Sequence, residues 1–164
     1  MRVIAIDPGY DRIGVAVIEK GDDGKEKILH SSCIFTNKKQ DIPERIFFAT
    51  EEIHSLIQKF QANAFAIEKL FFAKNTKTAL AVAEARGAFI FQAKKNNLPI
   101  FEFTPNQIKS AITGNGNATK KDLLFFINKI IHLDEKKQYI DDEIDAIAIG
   151  VTYFAYVKNN HYYE

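Results

Sequence analysis

The chain has 164 residues, of which 46% are hydrophobic and 26% charged, the composition of a soluble globular protein able to bury a core without metal or disulfide staples. A single cysteine, Cys33, excludes an internal disulfide and a multi-cysteine zinc site, and a net charge of +1 exerts no overall pull toward nucleic acid. No apolar run reaches the roughly 18 residues of a membrane span, and Met1-Arg2 leads into a strand with no signal-peptide pattern, so the expectation is a cytoplasmic protein without membrane contact.

Val3 to Asp7 reads as a buried strand, an apolar run closed by the turn signal Asp7-Pro8-Gly9. Ile13 to Ile18 is a second strand, and Gly21-Asp22-Asp23-Gly24 turns the chain into a third, roughly Lys27 to Phe35, which carries Cys33 as a packed or half-exposed inert thiol. From Pro43 the period changes: Ile46, Ala49, Ile53, Leu56, Ile57 and Phe60 recur at helical spacing. Ala64 to Glu68 follows as a buried strand, then an alanine-rich helix from about Lys77 to Asn96 that stops before Pro99. Pro99 to Phe103 is a fifth strand, and Thr104 caps a helix from Pro105 to Ile112. Two glycines among asparagines make Thr113 to Asn117 a loop, after which Thr119 caps a helix to Ile131. Beyond a polar loop, His132 to Tyr139, a last helix starts at Asp141 or Asp142 and runs to about Tyr156. The expected fold is α/β, a mixed five-stranded sheet with its first three strands antiparallel and helices on its faces. No repeat or linker divides it, so residues 1–157 read as a single domain and 158–164 as a flexible tail.

Three apolar segments run straight into carboxylates: Ile6 into Asp7, Ile67 into Glu68, and the helix opening Asp142-Glu143-Ile144-Asp145. A carboxylate at the edge of an apolar layer is costly unless its charge is compensated, and a divalent cation can serve three such places at once. Asp7 and Glu68 end strands, where ligand sites of open α/β sheets form, and Asp142 and Asp145 share a helix face. Asp141 is a rival for Asp142, since it also shares a face with Asp145. Four carboxylates can hold two Mg²⁺ ions roughly 3.5–4 Å apart, an arrangement suited to phosphodiester cleavage, and Mn²⁺ suits the same ligands. Singly, Asp7 is also a good turn former and Asp142 a good helix cap. Lysines gather at Lys74/Lys77, Lys94/Lys95, Lys109 and Lys120/Lys121, so a basic groove around the acids is compatible with the small net charge.

Ala5-Ile6-Asp7-Pro8-Gly9, Ala66-Ile67-Glu68-Lys69-Leu70-Phe71-Phe72-Ala73-Lys74-Asn75, Ala85-Arg86-Gly87, Thr113-Gly114-Asn115-Gly116 and Asp142-Glu143-Ile144-Asp145-Ala146-Ile147-Ala148 together resemble the bacterial RuvC Holliday-junction resolvases, in order, to about Phe154. The resemblance implies an RNase H-like fold, a homodimer, and a Mg²⁺-dependent endonuclease that makes paired symmetric nicks in four-way DNA junctions during recombination and repair. It implies that Asp7, Glu68, Asp142 and Asp145 are the catalytic, metal-binding acids, the family's D-x-x-D spacing favouring Asp142 over Asp141. It further implies that Phe71 meets unstacked junction bases, that Lys109 and Lys120 lie near the scissile phosphate, and that the motor proteins RuvA and RuvB are partners. Lys74, in the same motif and in a lysine cluster, joins the DNA-binding set, whereas Phe72 reads as core. Two departures stand out: Lys120-Lys121-Asp122-Leu123 replaces a commoner K-x-Q-V run, and Glu84 precedes Ala85-Arg86-Gly87 where glutamine is frequent.

Two other readings compete. A pre-ribosomal-RNA nuclease of related fold shares the opening strand pair, but fits less well around Glu68 and the Asp142–Asp145 helix. A non-catalytic junction-binding or nucleotide-binding module has no use for an intact acidic quartet, and an actin-like ATPase needs two such domains.

Overall fold

A computed structural model describes residues 1–70 and 76–159. The expectations for Phe71, Phe72 and Lys74, and for most of the tail, lie outside the described residues. Three strands come first: β1 (Arg2–Asp7), β2 (Arg12–Lys20) and β3 (Glu26–Phe35). Then follow α1 (Ile42–Phe60), β4 (Ala64–Glu68), α2 (Thr76–Lys95), β5 (Ile100–Phe103), α3 (Pro105–Thr113), α4 (Lys120–Ile130) and α5 (Asp141–Asn159). Among the described residues one sheet forms in the order β3-β2-β1-β4-β5. β1, β2 and β3 pair antiparallel, while β4 runs parallel to both β1 and β5. The mixed five-stranded sheet expected from the sequence is present.

Helix starts follow local chemistry. Asp41 accepts from the Glu44 amide at 3.1 Å and caps α1 with Pro43 in its first turn. Thr104 and Gln107 close a capping box on α3, and Thr119 and Asp122 close another on α4. The departure at Asp122 is thereby explained: its carboxylate accepts from the Thr119 amide at 2.9 Å and fixes the start of the helix that carries Lys120.

Strand alternation sorts the core into two layers of different thickness. Ile4, Ile6, Ile13, Val15, Val17, Phe65 and Ile67 fill one face under α1 and α2. The other face, under α5, is thin: Ala5 is register partner to both Ala16 and Ala66, forming a row of alanines across β2, β1 and β4. The helix above is equally small there, since a Cβ on Gly150 would come 2.7 Å from Ile18 Cδ1 and 3.4 Å from Ala5 Cβ. α5 therefore lies close against the sheet, and its apolar face buries Ala146, Ile147, Ile149, Tyr153 and Phe154 there.

Candidate active site

Parallel pairing of β1 with β4 settles where two acids stand. Ile6 is register partner to Ile67, so Asp7 and Glu68, each one residue further on, end adjacent strands side by side. Both continue the alternation of the alanine-lined face and so face α5. α5 begins at Asp141, and its first turn brings Asp142 and Asp145 over the strand ends. The four acids expected from the sequence therefore share one end of the sheet.

Their electrostatics follow from the proximity. Asp7 is pushed up to about 8, first by burial and then by the charges of Asp145, Glu68 and Asp142. Glu68 rises to about 7, again through burial and then Asp145. Burial also raises Asp145, while Lys120 works against it. Asp142 acts on Asp7 whereas Asp141 has no part in that shift, and the Asp141 side chain is 83% exposed with Lys120 as its partner at 3.6 Å. Of the two candidates, Asp142 is the one whose charge acts on Asp7, while both act on Asp145.

Each α5 acid is met by a cation from a different side. Asp142 is ion-paired to Arg12, at the start of β2. Asp145 is paired to Lys120 at 3.3 Å, from the start of α4. With these partners in place, no three acid, imidazole or thiol side chains among the described residues stand close enough to enclose an ion. The donor set nonetheless fits a hard divalent cation. It is all carboxylate, half-buried and mutually repelling, and two members hold protons near neutrality when no positive ion is shared among them.

Lys109 and Lys120, both expected here, line a groove with Glu68, Ile108 and Asp145, which runs from the acids toward α3 and α4. Two cationic residues at the site escaped the sequence reading. Arg12 directly precedes the apolar run Ile13 to Ile18, after the turn that follows Asp7, a position that could have drawn notice. Arg86, inside the Ala85-Arg86-Gly87 motif, donates through Nε to the Glu68 carbonyl at 2.9 Å and is ion-paired to Glu102. It thereby ties α2 to the backbone of an acid. A third feature is Glu143, which lies between the site acids but turns away. Buried, it accepts from Lys137 Nζ at 2.6 Å, and the same ammonium donates to Ser31 O and Oγ on β3, both at 2.8 Å.

A family described as "Crossover junction endodeoxyribonuclease RuvC" matches residues 3–153. The chain belongs to the RuvC family. A RuvC relative from Brachyspira hyodysenteriae is 42% identical over 154 residues, covering 93% of each chain. Another, from Petrotoga mobilis, is 39% identical over 148 residues, covering 90% of each. Among solved structures, Thermus thermophilus RuvC in complex with a Holliday junction substrate superposes with a TM-score of 0.89 at 28% identity, covering 98% of this chain and 96% of that one. The RuvC resemblance read from the motifs and the RNase H-like fold expected with it are both correct. Among the described residues no helix is long and apolar enough to cross a membrane.

Proposed function

We propose that this chain is a crossover junction endodeoxyribonuclease that resolves four-way DNA junctions in recombination and repair. The observation that carries the reading is the meeting of Asp7, Glu68, Asp142 and Asp145 at one end of the sheet, beside a lysine-lined groove. These acids are the residues that would hold Mg²⁺, two ions per site with Mn²⁺ able to substitute, and the metal would supply an activated water and charge stabilisation at the leaving 3′ oxygen. Lys109 and Lys120 bind backbone phosphates along the groove and set the scissile bond over the acids. Phe71 and Lys74 complete the DNA-binding set on the strength of the motif resemblance. Half-burial beneath α5 limits water at Asp7 and Glu68, which strengthens every charge interaction there. Hydrolysis leaves a 5′-phosphate and a 3′-hydroxyl.

A twofold-symmetric junction is best served by two identical sites, so the working unit proposed is a homodimer of the nuclease domain 1–157. Support comes from α2, where Leu80, Glu84, Gly87 and Phe91 form an exposed stripe at helical spacing. RuvA and RuvB are the partners the resemblance implies, and the cytoplasm is the compartment.

The test is cleavage of a synthetic four-way junction beside linear duplex and precursor ribosomal RNA, with and without Mg²⁺. Symmetric nicks confined to the junction and dependent on the metal are expected. Cleavage of the RNA with the junction left intact would replace this reading with the ribosomal-RNA nuclease.

A further inference from the structure

We propose that Arg12 is a phosphate-binding residue held in reserve: it rests on Asp142 while the acids carry no divalent cation, and moves to the DNA backbone once Asp142 ligates one. This rests on the junction-endonuclease reading above.

Position comes first. Arg12 is register partner to Phe35, and Asp7 to Gly14, so Arg12 lies at the acid end of the sheet on its β2–β3 side. Lys109 and Lys120 bracket the acids from the α3–α4 side. A phosphate chain laid across the acids passes from one flank to the other, and among the described residues Arg12 is the cation paired to the cluster from the second flank. Its side chain is 47% exposed, and its guanidinium stands 5.9 Å from the ring centre of the exposed Phe35.

The backbone beneath it is held, while the half-exposed arm above is engaged by side chains alone, Asp142, Phe35 and Cys33. Arg45, itself buried, donates from Nη2 to the Tyr10 carbonyl at 3.3 Å and from Nε to Thr36 Oγ1 at 3.0 Å, and is ion-paired to Asp11. Thr36 Oγ1 in turn donates to the Tyr10 carbonyl at 2.6 Å, and the Thr36 amide to the Asp11 carbonyl at 3.1 Å. A Cβ on Gly9 would overlap the carbonyl oxygen of Arg12, so the turn is packed directly against that residue. The residues on both sides of Arg12 are fixed, and its side chain projects from a rigid base.

The chemistry of the exchange is simple. A guanidinium presents the same planar fork to a carboxylate and to a phosphodiester. Ion pairs with a solvent-exposed partner contribute little to stability, and the Arg12 side chain is 47% exposed, so leaving Asp142 costs Arg12 little. When Asp142 shares its charge with a divalent cation, its pull on the guanidinium falls and the cation repels it, while DNA offers a fresh anion within reach.

The experiment measures binding of a labelled four-way junction to the full chain by fluorescence anisotropy across a KCl series. Wild type, R12A and R12K are compared in Ca²⁺, used in place of Mg²⁺ to hold back cleavage, and in EDTA. In Ca²⁺ the slope of log K against log salt should be shallower for R12A by about 0.9, the loss of one phosphate contact, with R12K near wild type. In EDTA wild type and R12A should share one slope. Equal slopes in Ca²⁺, or the same deficit in EDTA, would overturn the exchange while leaving junction binding intact. Wild-type chain that ignores the junction would overturn the junction reading itself and this inference with it. Circular dichroism checks that R12A folds, and R12Q supplies the same comparison if it does not.

Discussion

Gly14 lies directly beneath the first turn of α5: a methyl group on it would overlap the carbonyl oxygen of Asp142 and stand 3.1 Å from the Cβ of Asp7. Glycine is needed there for close approach and not for an unusual backbone angle, since its φ is not positive. Gly14→Ala should push the start of α5 outward and carry Asp142 and Asp145 away from Asp7. A displacement of about 1 Å at reacting groups can cost about 10²-fold in rate. Junction cleavage should fall by about that factor while the circular dichroism spectrum keeps its native form.

Replacing Asp7 by Asn, or Glu68 by Gln, keeps the shape of the acid cluster and removes one ligand charge. Loss of groups that merely support a metal ligand typically costs about 10–100-fold, so removing a ligand should cost more than about 100-fold. Cleavage timed on one junction should show that loss. Binding of the same junction, which the proposed function assigns to lysines outside the quartet, should stay within a few-fold of wild type. Undiminished nicking by Asp7→Asn in Mg²⁺ would take Asp7 out of the proposed mechanism.

The raised acids make the metal-free protein sensitive to pH. Asp7 titrates at about 8 in the folded chain, against about 4 for an ordinary carboxyl. The folded state therefore keeps a proton that the unfolded state has lost, and stability declines as pH rises across that interval. Glu68, at about 7, adds to the same decline. Thermal unfolding in EDTA should show a midpoint that drops between about pH 5 and about pH 8, and Asp7→Asn should flatten that slope. Adding Mg²⁺ at pH 8 should raise the wild-type midpoint, by about 2.7 kcal/mol of stability at 100 times the dissociation constant.

Lys137 and Glu143 form an unequal pair, with the lysine side chain 35% exposed and the carboxylate 5%. Truncating Lys137 strands a buried charge. Truncating Glu143 leaves an ammonium that can still reach water and Ser31. Lys137→Ala should cost about 3 kcal/mol, the low end of the range for breaking a buried pair. Glu143→Ala and the double variant should each cost less. Urea unfolding of the four proteins gives the comparison, and a Lys137→Ala cost below that of Glu143→Ala would reverse the assignment of which partner is trapped.

Much of this architecture is legible in the residues because its causes are local. The strand Ala64–Glu68 matches its expected bounds, since four unbroken apolar residues run into an acid. Thr104 and Thr119 cap the helices expected of them because a capping residue acts within one turn. The acid quartet could be inferred because each member closes or opens an apolar run. What escaped were contacts that depend on the finished fold. Arg12 finds Asp142 130 residues away, Arg45 finds Asp11 34 away, and Lys137 finds Ser31 106 away. No periodicity carries such pairings, because each partner is chosen by packing and not by spacing. The final helix also runs on to Asn159, past the Tyr156 expected, because Val157 is still buried against the core.

The alanine row of Ala16, Ala5 and Ala66 has a reach beyond its own layer. It sets the clearance between a rigid sheet and the rod that rides on it, and two of the proposed catalytic acids, Asp142 and Asp145, sit at the tip of that rod. A single added branch at position 5, 16 or 66 would tilt the rod as a wedge tilts a lever, moving Asp142 and Asp145 without touching either. Variation at these inner positions thus changes the gap between the proposed catalytic acids, so inactive forms of this protein are to be sought among substitutions that look like ordinary repacking.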